Sequence, residues 1–449
     1  MNIKIGILTL SSPEWGGVYQ YTLTLLEALK NLHNKRYEFI QLRNKSFPKI
    51  LERDIAIEVE NVLSDIDFII CPFPSLFPFL MGKPYIVTIH DLQHEYYPEF
   101  FTPEQRIMRK MIYKTTAQKA NLVVCESNYV KQDIAKFLSI PGKKIKVLAS
   151  PPPNYIMKAR IDEIRLIEIK EKYKLPDNFL FYPANFWYHK NHINLLRAIR
   201  LIKDKYGQEI SLILVGAKEN NFENVNEEIR NLDLSQRVKY LGYIPDEDMP
   251  YLYKLATALV IPTLFESISI PIWEAFYLGC PVVASNVCAL PEQLGNAGLI
   301  FDPHNVKDMA EKIYDIWVNE NLRRELIRKG YERIKNLTIE NYAKEWGKIL
   351  EEAINIGHVV YKIDFFEEFS AGAFVSFDPM RASRLYNRLA WTAYKYGNKS
   401  LAASLLFKSS FETRSLKDFL KGIFVVLGLY GKYMTKKYGE KNLEDFSLI

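Results

Sequence analysis

The chain has 449 residues, 48% of them hydrophobic and 25% charged, with 28 Tyr and 26 Phe. That composition excludes a disordered, collagen-like or disulfide-stapled chain and supplies enough apolar surface for two cores plus an extension. The formal net charge is +6, yet residues 381–449 alone hold 13 Lys/Arg against 5 Asp/Glu, so the basic surplus belongs to the tail and no nucleic-acid partner is expected.

In chain order, residues 1–10 lack the length and small-residue cleavage site of a signal peptide. "IKIGILTL" reads as a buried parallel strand, and "GGVYQYTLTLLEALKNL" as a helix with Tyr21, Leu25, Ala28 and Leu29 on one face. "YEFIQL", "DFIICPF", "YIVTIH" and "NLVVCES" predict four further strands. The apolar run 68–81 is broken by Pro72, Pro74 and Pro78 and is too short to cross a bilayer. "SPPPNYI" ends this first series, because three prolines continue neither a helix nor a central strand. A second series follows: "FLFYPA", the helix "HINLLRAIRLIKDKY", "ISLILVG", "VKYLGYI", "LATALVIPT", "CPVVAS" and "GLIFD".

Two alternating series predict an α/β protein of two Rossmann-like doubly wound domains facing a cleft. The expected divisions are 1–155, 156–340, a crossover helix within 341–356, and a helical C-terminal extension 357–449. In the extension, "RASRLYNRLAWTAYKYGNKSLAASLLFKSSF" predicts a helical hairpin turned at Gly397–Asn398. Its small residues Ala393, Gly397 and Ala402 resemble one tetratricopeptide unit, and a single copy points to an accessory hairpin rather than a solenoid. Further on, "SLKDFLKGIFVVLGLYGKYMTKK" joins an apolar centre to Lys417, Lys421, Lys432, Lys436 and Lys437. Two readings stay open for it: peripheral membrane contact through the basic tail, or a helix packed on the hairpin. The four cysteines form no CxxC and sit near no histidine pair. They read as free thiols in a reducing, cytoplasmic compartment, and no metal site is expected.

The chemistry concentrates in "FESISIPIWEAFYLGCPVVAS", with Glu266 and Glu274 on either side of a loop ending at Pro271. A strand ends at Pro262–Thr263, and Pro271 suits the first turn of a helix that Gly279 closes. Such a helix N-terminus at the carboxyl end of a sheet favours an anion, typically a phosphate. Glu274 is expected in the first turn, within reach of ribose hydroxyls, and Glu266 at the mouth of the loop, where a sugar would project. Glutamate in a first turn also simply complements the helix dipole, and an exposed Glu266 would need no function.

This stretch resembles the glutamate-x7-glutamate signature of retaining glycosyltransferase family 4, a group built on the GT-B fold. Over roughly residues 1–355 five further segments follow in that family's order: "PEWGGVYQYTLTLLEAL", "VTIHDLQHEYYPEFF", "VVCESNYVKQDI", "YPANFWYHKNHINLLRAI" and "VKYLGYIPDEDMPYLYKLATALVIPTLFES". The resemblance implies that Glu274 binds the nucleotide ribose and that Glu266 lies near the donor sugar and leaving phosphate. It implies that the backbone of Ile268, Ser269 and Ile270 contacts sugar and phosphates, and that Lys190 neutralises the pyrophosphate. Gly16 and Gly17 would admit the donor closely, His90 would lie across the cleft near the reacting carbon, and Gly242 and Tyr243 would border the base. There are two departures. Asn185 stands where many relatives carry arginine, and Ser267, Ile268 and Ser269 replace Gly-Phe-Gly.

The expected activity is sugar transfer from a nucleotide-sugar to a hydroxyl of a glycan or lipid-linked acceptor, with retention and without a metal or other cofactor. "YPANFWYHKNH" resembles a subgroup that builds bacterial surface polysaccharides with mannose-like donors. In the family's chemistry the leaving phosphate takes the acceptor proton, so no dedicated histidine base is expected. A sugar-nucleotide epimerase of the same fold and a non-catalytic scaffold in a glycan assembly complex are the alternatives. The expected location is cytoplasmic, with the tail a candidate contact to the inner face of a membrane.

Overall fold

The computed structural model describes residues 2–9, 16–32, 36–43, 65–75, 83–357, 379–395 and 399–438. Within them lie two six-stranded sheets, all parallel. The first contains β1 (Ile3–Thr9), β2 (Tyr37–Arg43), β3 (Phe68–Cys71), β4 (Tyr85–Thr88), β5 (Leu122–Cys125) and β6 (Ile145–Val147), ordered β2-β1-β3-β4-β5-β6. The second contains β7 (Leu180–Pro183), β8 (Leu212–Val215), β9 (Val238–Tyr240), β10 (Ala258–Ile261), β11 (Val282–Ser285) and β12 (Gly298–Phe301), ordered β12-β11-β10-β7-β8-β9.

The strands are short and apolar throughout. β3, β4, β5, β8, β10 and β11 are buried at every position, as parallel strands covered by helices on both faces must be. Each Val, Ile or Leu so buried contributes roughly 1.5–3 kcal/mol. The sequence pattern foresees eleven of these twelve strands. It misses β6, whose Ile145–Val147 stretch has three residues and lies among lysines.

The order in which successive strands are added reverses once in each sheet, between β1 and β3 in the first and between β7 and β10 in the second. Ligands of doubly wound sheets bind beyond the strand ends at such switch points. Helix Gly17–Lys30 follows β1, and helix Ile270–Leu278 follows β10. Helix Ile339–Asn355 returns from the second sheet to cover the first. Its Trp346, Leu350 and Ala353 pack in one core with Ile5, Ile7, Leu25 and Phe68, and Asn121 Nδ2 donates to the Ala353 carbonyl (2.8 Å).

In the extension, helices Pro379–Lys395, Lys399–Thr413, Leu416–Val426 and Tyr430–Tyr438 form a cluster against Ile112 and Tyr113 of helix Pro103–Lys119. Ala393 and Ala402 are fully buried there. The expected turn at Gly397–Asn398, Pro78, and the first residues of the "PEWGG" motif lie outside the described residues. All four cysteines are free, three of them buried, and no described helix is long and apolar enough to cross a membrane.

Candidate active site

The site is built where the β7 and β10 loops meet. After β7 the chain runs through Asn185 to a single helical turn, Tyr188–Lys190. Asn191 then adopts a left-handed conformation (φ 57°) and opens helix His192–Tyr206. Its buried side-chain amide donates to the carbonyls of Pro262 (2.9 Å) and Pro303 (3.1 Å). The amide of Leu264 donates to the His189 carbonyl (2.7 Å), and the Thr263 hydroxyl lies 3.0 Å from the same oxygen. These bonds fix Lys190 beside Glu266, and Lys190 Nζ lies 2.5 Å from Glu266 Oε2 with both side chains mostly buried.

The neighbouring histidines do not add charge. Burial lowers the pKa of His189 to about 3, helped by the adjacent Lys190. It does the same to His192, which stacks on Phe186 at 4.5 Å. Asn185, in the position where the resemblance expects arginine, accepts from the Ala217 amide (2.8 Å) and ties the β7 and β8 loops together. Arg197, basic and nearby in sequence, is turned to Glu228 (2.7 Å). Lys190 is thus the cation that meets Glu266.

The loop after β10 leads into helix Ile270–Leu278, with Pro271 in its first turn and left-handed Gly279 (φ 70°) at its end, as expected. Glu274 corrects the sequence reading. The helix starts at Ile270, which puts Glu274 at its fifth position, one turn deeper than the first. There the carboxyl is 3% exposed. Its Oε1 accepts from the Tyr155 hydroxyl and its Oε2 from the Tyr253 hydroxyl. Burial is the larger influence and raises its pKa to about 7, against the pull of both tyrosines. A carboxylate offers about four acceptor positions, so each oxygen keeps one for a further donor.

One of the three predicted loop amides is not available. The Ser269 amide donates to Gln293 Oε1 (2.9 Å), and Gln293 Nε2 returns a bond to the Ser269 carbonyl (2.8 Å). This buried clasp holds the loop in shape. Among the described residues, the amides of Ser267, Ile268 and Ile270 have no partner. They join Lys190 as candidate donors, with the helix dipole behind them contributing about 0.3–2 kcal/mol per anionic charge.

The first sheet supplies the opposite wall. Gly16 takes φ 55°, ψ −114°, a conformation outside the range of side-chain-bearing residues. A β-carbon on Gly17 would lie 3.6 Å from Ile270 Cδ1, so the diglycine abuts the start of helix Ile270–Leu278. Gly16→Ala is therefore expected to cost about 1–3 kcal/mol in stability, measured by denaturant unfolding. Gly17→Ala meets only ordinary contact, and a loss of turnover in that variant without loss of stability would report close approach of the donor.

His90 follows β4, as predicted, but both ring nitrogens are used on its own side. Nδ1 lies 3.2 Å from Glu126 Oε2 and Nε2 lies 2.8 Å from the Pro72 carbonyl. Burial disfavours the charged ring, yet the Glu126 carboxylate and the Pro72 carbonyl outweigh it and raise the pKa. Ser150 donates to the other oxygen of Glu126 (2.6 Å). The structure pairs Lys190 with Glu266 and Gly17 with Ile270, and engages His90 on the side of the first sheet. Gly242 (φ 75°) and the 81% exposed ring of Tyr243 lie in the loop after β9, next to the β8 loop. Sequence reasoning missed Tyr155, Tyr253, Asn191, Gln293 and Glu126. Asn191, Tyr253 and Glu126 stand inside motif segments already singled out, but nothing in those segments marked them, and Tyr155 and Gln293 lie outside them.

Contacts between the halves close on this loop. Tyr97 donates to the Leu264 carbonyl (3.0 Å) and the Ser127 hydroxyl to the Ser267 carbonyl (3.4 Å). Glu292 accepts from the amides of Asn128 (2.9 Å) and Tyr129 (3.2 Å), at the N-terminus of helix Asn128–Leu138.

Two parallel doubly wound sheets, each with one switch point and joined by a returning helix, make the GT-B fold. A model described as glycosyl transferases group 1 matches residues 165–333, and one described as glycosyltransferase family 4 matches residues 13–150. The chain belongs to the group 1 glycosyltransferases. It is 29% identical over 261 residues to O-antigen chain mannosyltransferase B of Escherichia coli, covering 57% of this chain and 67% of that one. It is 25% identical over 248 residues to O-antigen chain mannosyltransferase RfbU of Salmonella typhimurium, covering 55% and 64%. Sucrose-phosphate synthase from Thermosynechococcus elongatus superposes with a TM-score of 0.64 at 18% identity, covering 79% of this chain and all of that one. Anabaena Alr3699/HepE, solved with UDP-glucose, superposes with a TM-score of 0.62 at 18% identity, covering 78% and all.

Proposed function

We infer that the protein transfers a sugar, with mannose the favoured candidate, from a nucleotide-sugar to a hydroxyl of a growing surface polysaccharide or lipid-linked glycan, with retention. The observation that carries this reading is the Lys190–Glu266 pair at the switch point of the second sheet, with Glu266 on the same loop whose Ile270 meets Gly17 of the first half. The mannosyltransferase names of the O-antigen relatives and the UDP-glucose bound by the Anabaena protein support the substrate class.

On donor entry Lys190 exchanges Glu266 for the terminal phosphate, with the amides of Ile268 and Ile270 as further donors. Glu266 is then released to accept from sugar hydroxyls. Glu274 takes a ribose hydroxyl on the lone pairs that Tyr155 and Tyr253 leave, and the exposed Tyr243 ring gives the base a face to rest on. As the anomeric carbon–oxygen bond to phosphate breaks, its electron pair goes to the diphosphate, whose charge Lys190 and the amides stabilise. The acceptor oxygen bonds to the same carbon on the same face, and its proton passes to the departing phosphate oxygen. His90 takes no proton in this scheme; paired with Glu126, it fixes the opposite wall.

The test is a panel of nucleotide-mannose and nucleotide-glucose donors with a polysaccharide-repeat acceptor, read by nucleoside diphosphate release and by NMR of the new anomeric centre. The expected product keeps the donor's anomeric configuration, and turnover persists in excess EDTA. An inverted product, or an altered nucleotide-sugar with no diphosphate released, would defeat the reading.

A further inference from the structure

Helix Leu416–Val426 is turned inside out. Its inward face carries Asp418 and Lys421, 1% and 5% exposed, beside Gly422 and Val425. Lys421 Nζ pairs with Asp418 Oδ1 (2.8 Å) and donates to Asn387 Oδ1. Asp418 also accepts from Ser383 (2.6 Å), Ser409 (2.5 Å) and Asn387 (2.9 Å). A buried carboxylate with four donors has one orientation in which it is satisfied, so this network fixes the rotation of the helix. The consequence is on the outside. Leu416, Phe419, Leu420, Val426 and Leu427 are all exposed, from 44% to 71%. At 100° per residue they fall within one third of the helix circumference. Leu429, just beyond the helix, and Phe411 on the preceding helix are exposed as well.

Exposed cations border it in the chain. Arg414 and Lys417 precede or flank the apolar arc and Lys432 follows it, all three on the surface. The acid of the helix, Asp418, is spent inside the network. An apolar face bordered by cations, on a helix too short to span, matches the interface of an anionic bilayer.

We propose that the outward face of helix Leu416–Val426 is a docking surface for anionic lipid bilayers, in which the Asp418–Lys421 network holds Leu420 and Leu427 toward the membrane. The arrangement is independent of the transfer reaction and combines the two sequence readings of this segment. The helix packs on the hairpin through the Asp418–Lys421 network together with Gly422 and Val425, and its outward apolar arc is the side offered to lipid.

The test is flotation of the full chain with phosphatidylcholine vesicles, with and without phosphatidylglycerol. Binding is expected with the anionic vesicles and is expected to weaken steeply with salt. Leu420→Gln with Leu427→Gln should lower the partition coefficient at least tenfold, and Lys417→Glu with Lys432→Glu at least tenfold also. Both pairs lie on the surface, and unchanged thermal unfolding will show that they fold. Equal binding by all variants, or no binding of the wild-type chain at low salt, would overturn the proposal. So would slow thiol labelling of Leu420→Cys in vesicle-free protein, because it would show the face already covered by the chain itself or by a second copy.

Discussion

Lys190→Ala is expected to lower kcat/KM by about a hundred- to a thousandfold, the cost of removing one preorganised donor from a developing anion. No second cation compensates among the groups that flank it. His189 and His192 are held neutral by burial, Asn185 stands in the predicted arginine position, and Arg197 faces Glu228. The charge on the diphosphate grows as the glycosidic bond breaks, so kcat should fall along with kcat/KM. Lys190→Arg keeps the charge and is expected to recover part of the activity. Steady-state kinetics on purified variants measure all three quantities. A variant with normal kcat and a raised donor KM would mean that Lys190 only holds the ground state.

Glu274→Gln is expected to raise donor KM about ten- to a hundredfold with kcat nearly unchanged, as loss of a charged hydrogen bond to the ribose predicts. The same substitution has a second, independent signature. Burial raises the pKa of Glu274 from 4.5 to about 7. Between these values the folded protein keeps a proton that the unfolded chain has lost. The contribution of this group is complete below about pH 4.5 and declines as pH rises through 7, by about 3 kcal/mol in all. Glu274→Gln removes the titration, so its melting temperature should lose a few degrees less than the wild type between pH 5 and pH 8, by scanning calorimetry. Flattened melting with unchanged KM would assign Glu274 to clasping Tyr155 and Tyr253 alone.

Much of this was legible in the residues because parallel sheets write themselves plainly. A strand covered on both faces is a continuous apolar run, and β3, β5, β8 and β10 read directly as "FIIC", "LVVC", "LILV" and "ALVI". Pro271 and Gly279 bounded the key helix because each suits one end of a helix and not the other. What stayed hidden depends on groups distant in sequence. Tyr155 and Tyr253 lie 119 and 21 positions from Glu274 and carry no spacing signal. Gln293 removes the Ser269 amide from the loop's donors through a bond spanning 24 residues. The depth of Glu274 turned on whether the helix began at Ile270 or later, a difference of one turn that decides between an exposed and a buried carboxyl. The inverted helix of the tail was equally out of reach, because a period of 3.6 identifies an apolar face but not which face the fold turns inward.

The most direct test of the account is a structure of the protein with a bound nucleoside diphosphate. It should show the terminal phosphate within hydrogen-bond distance of Lys190 Nζ and of the Ile268 or Ile270 amide, with the Lys190–Glu266 contact opened and a ribose hydroxyl on Glu274. A diphosphate bound elsewhere, with Lys190 still paired to Glu266, would contradict it.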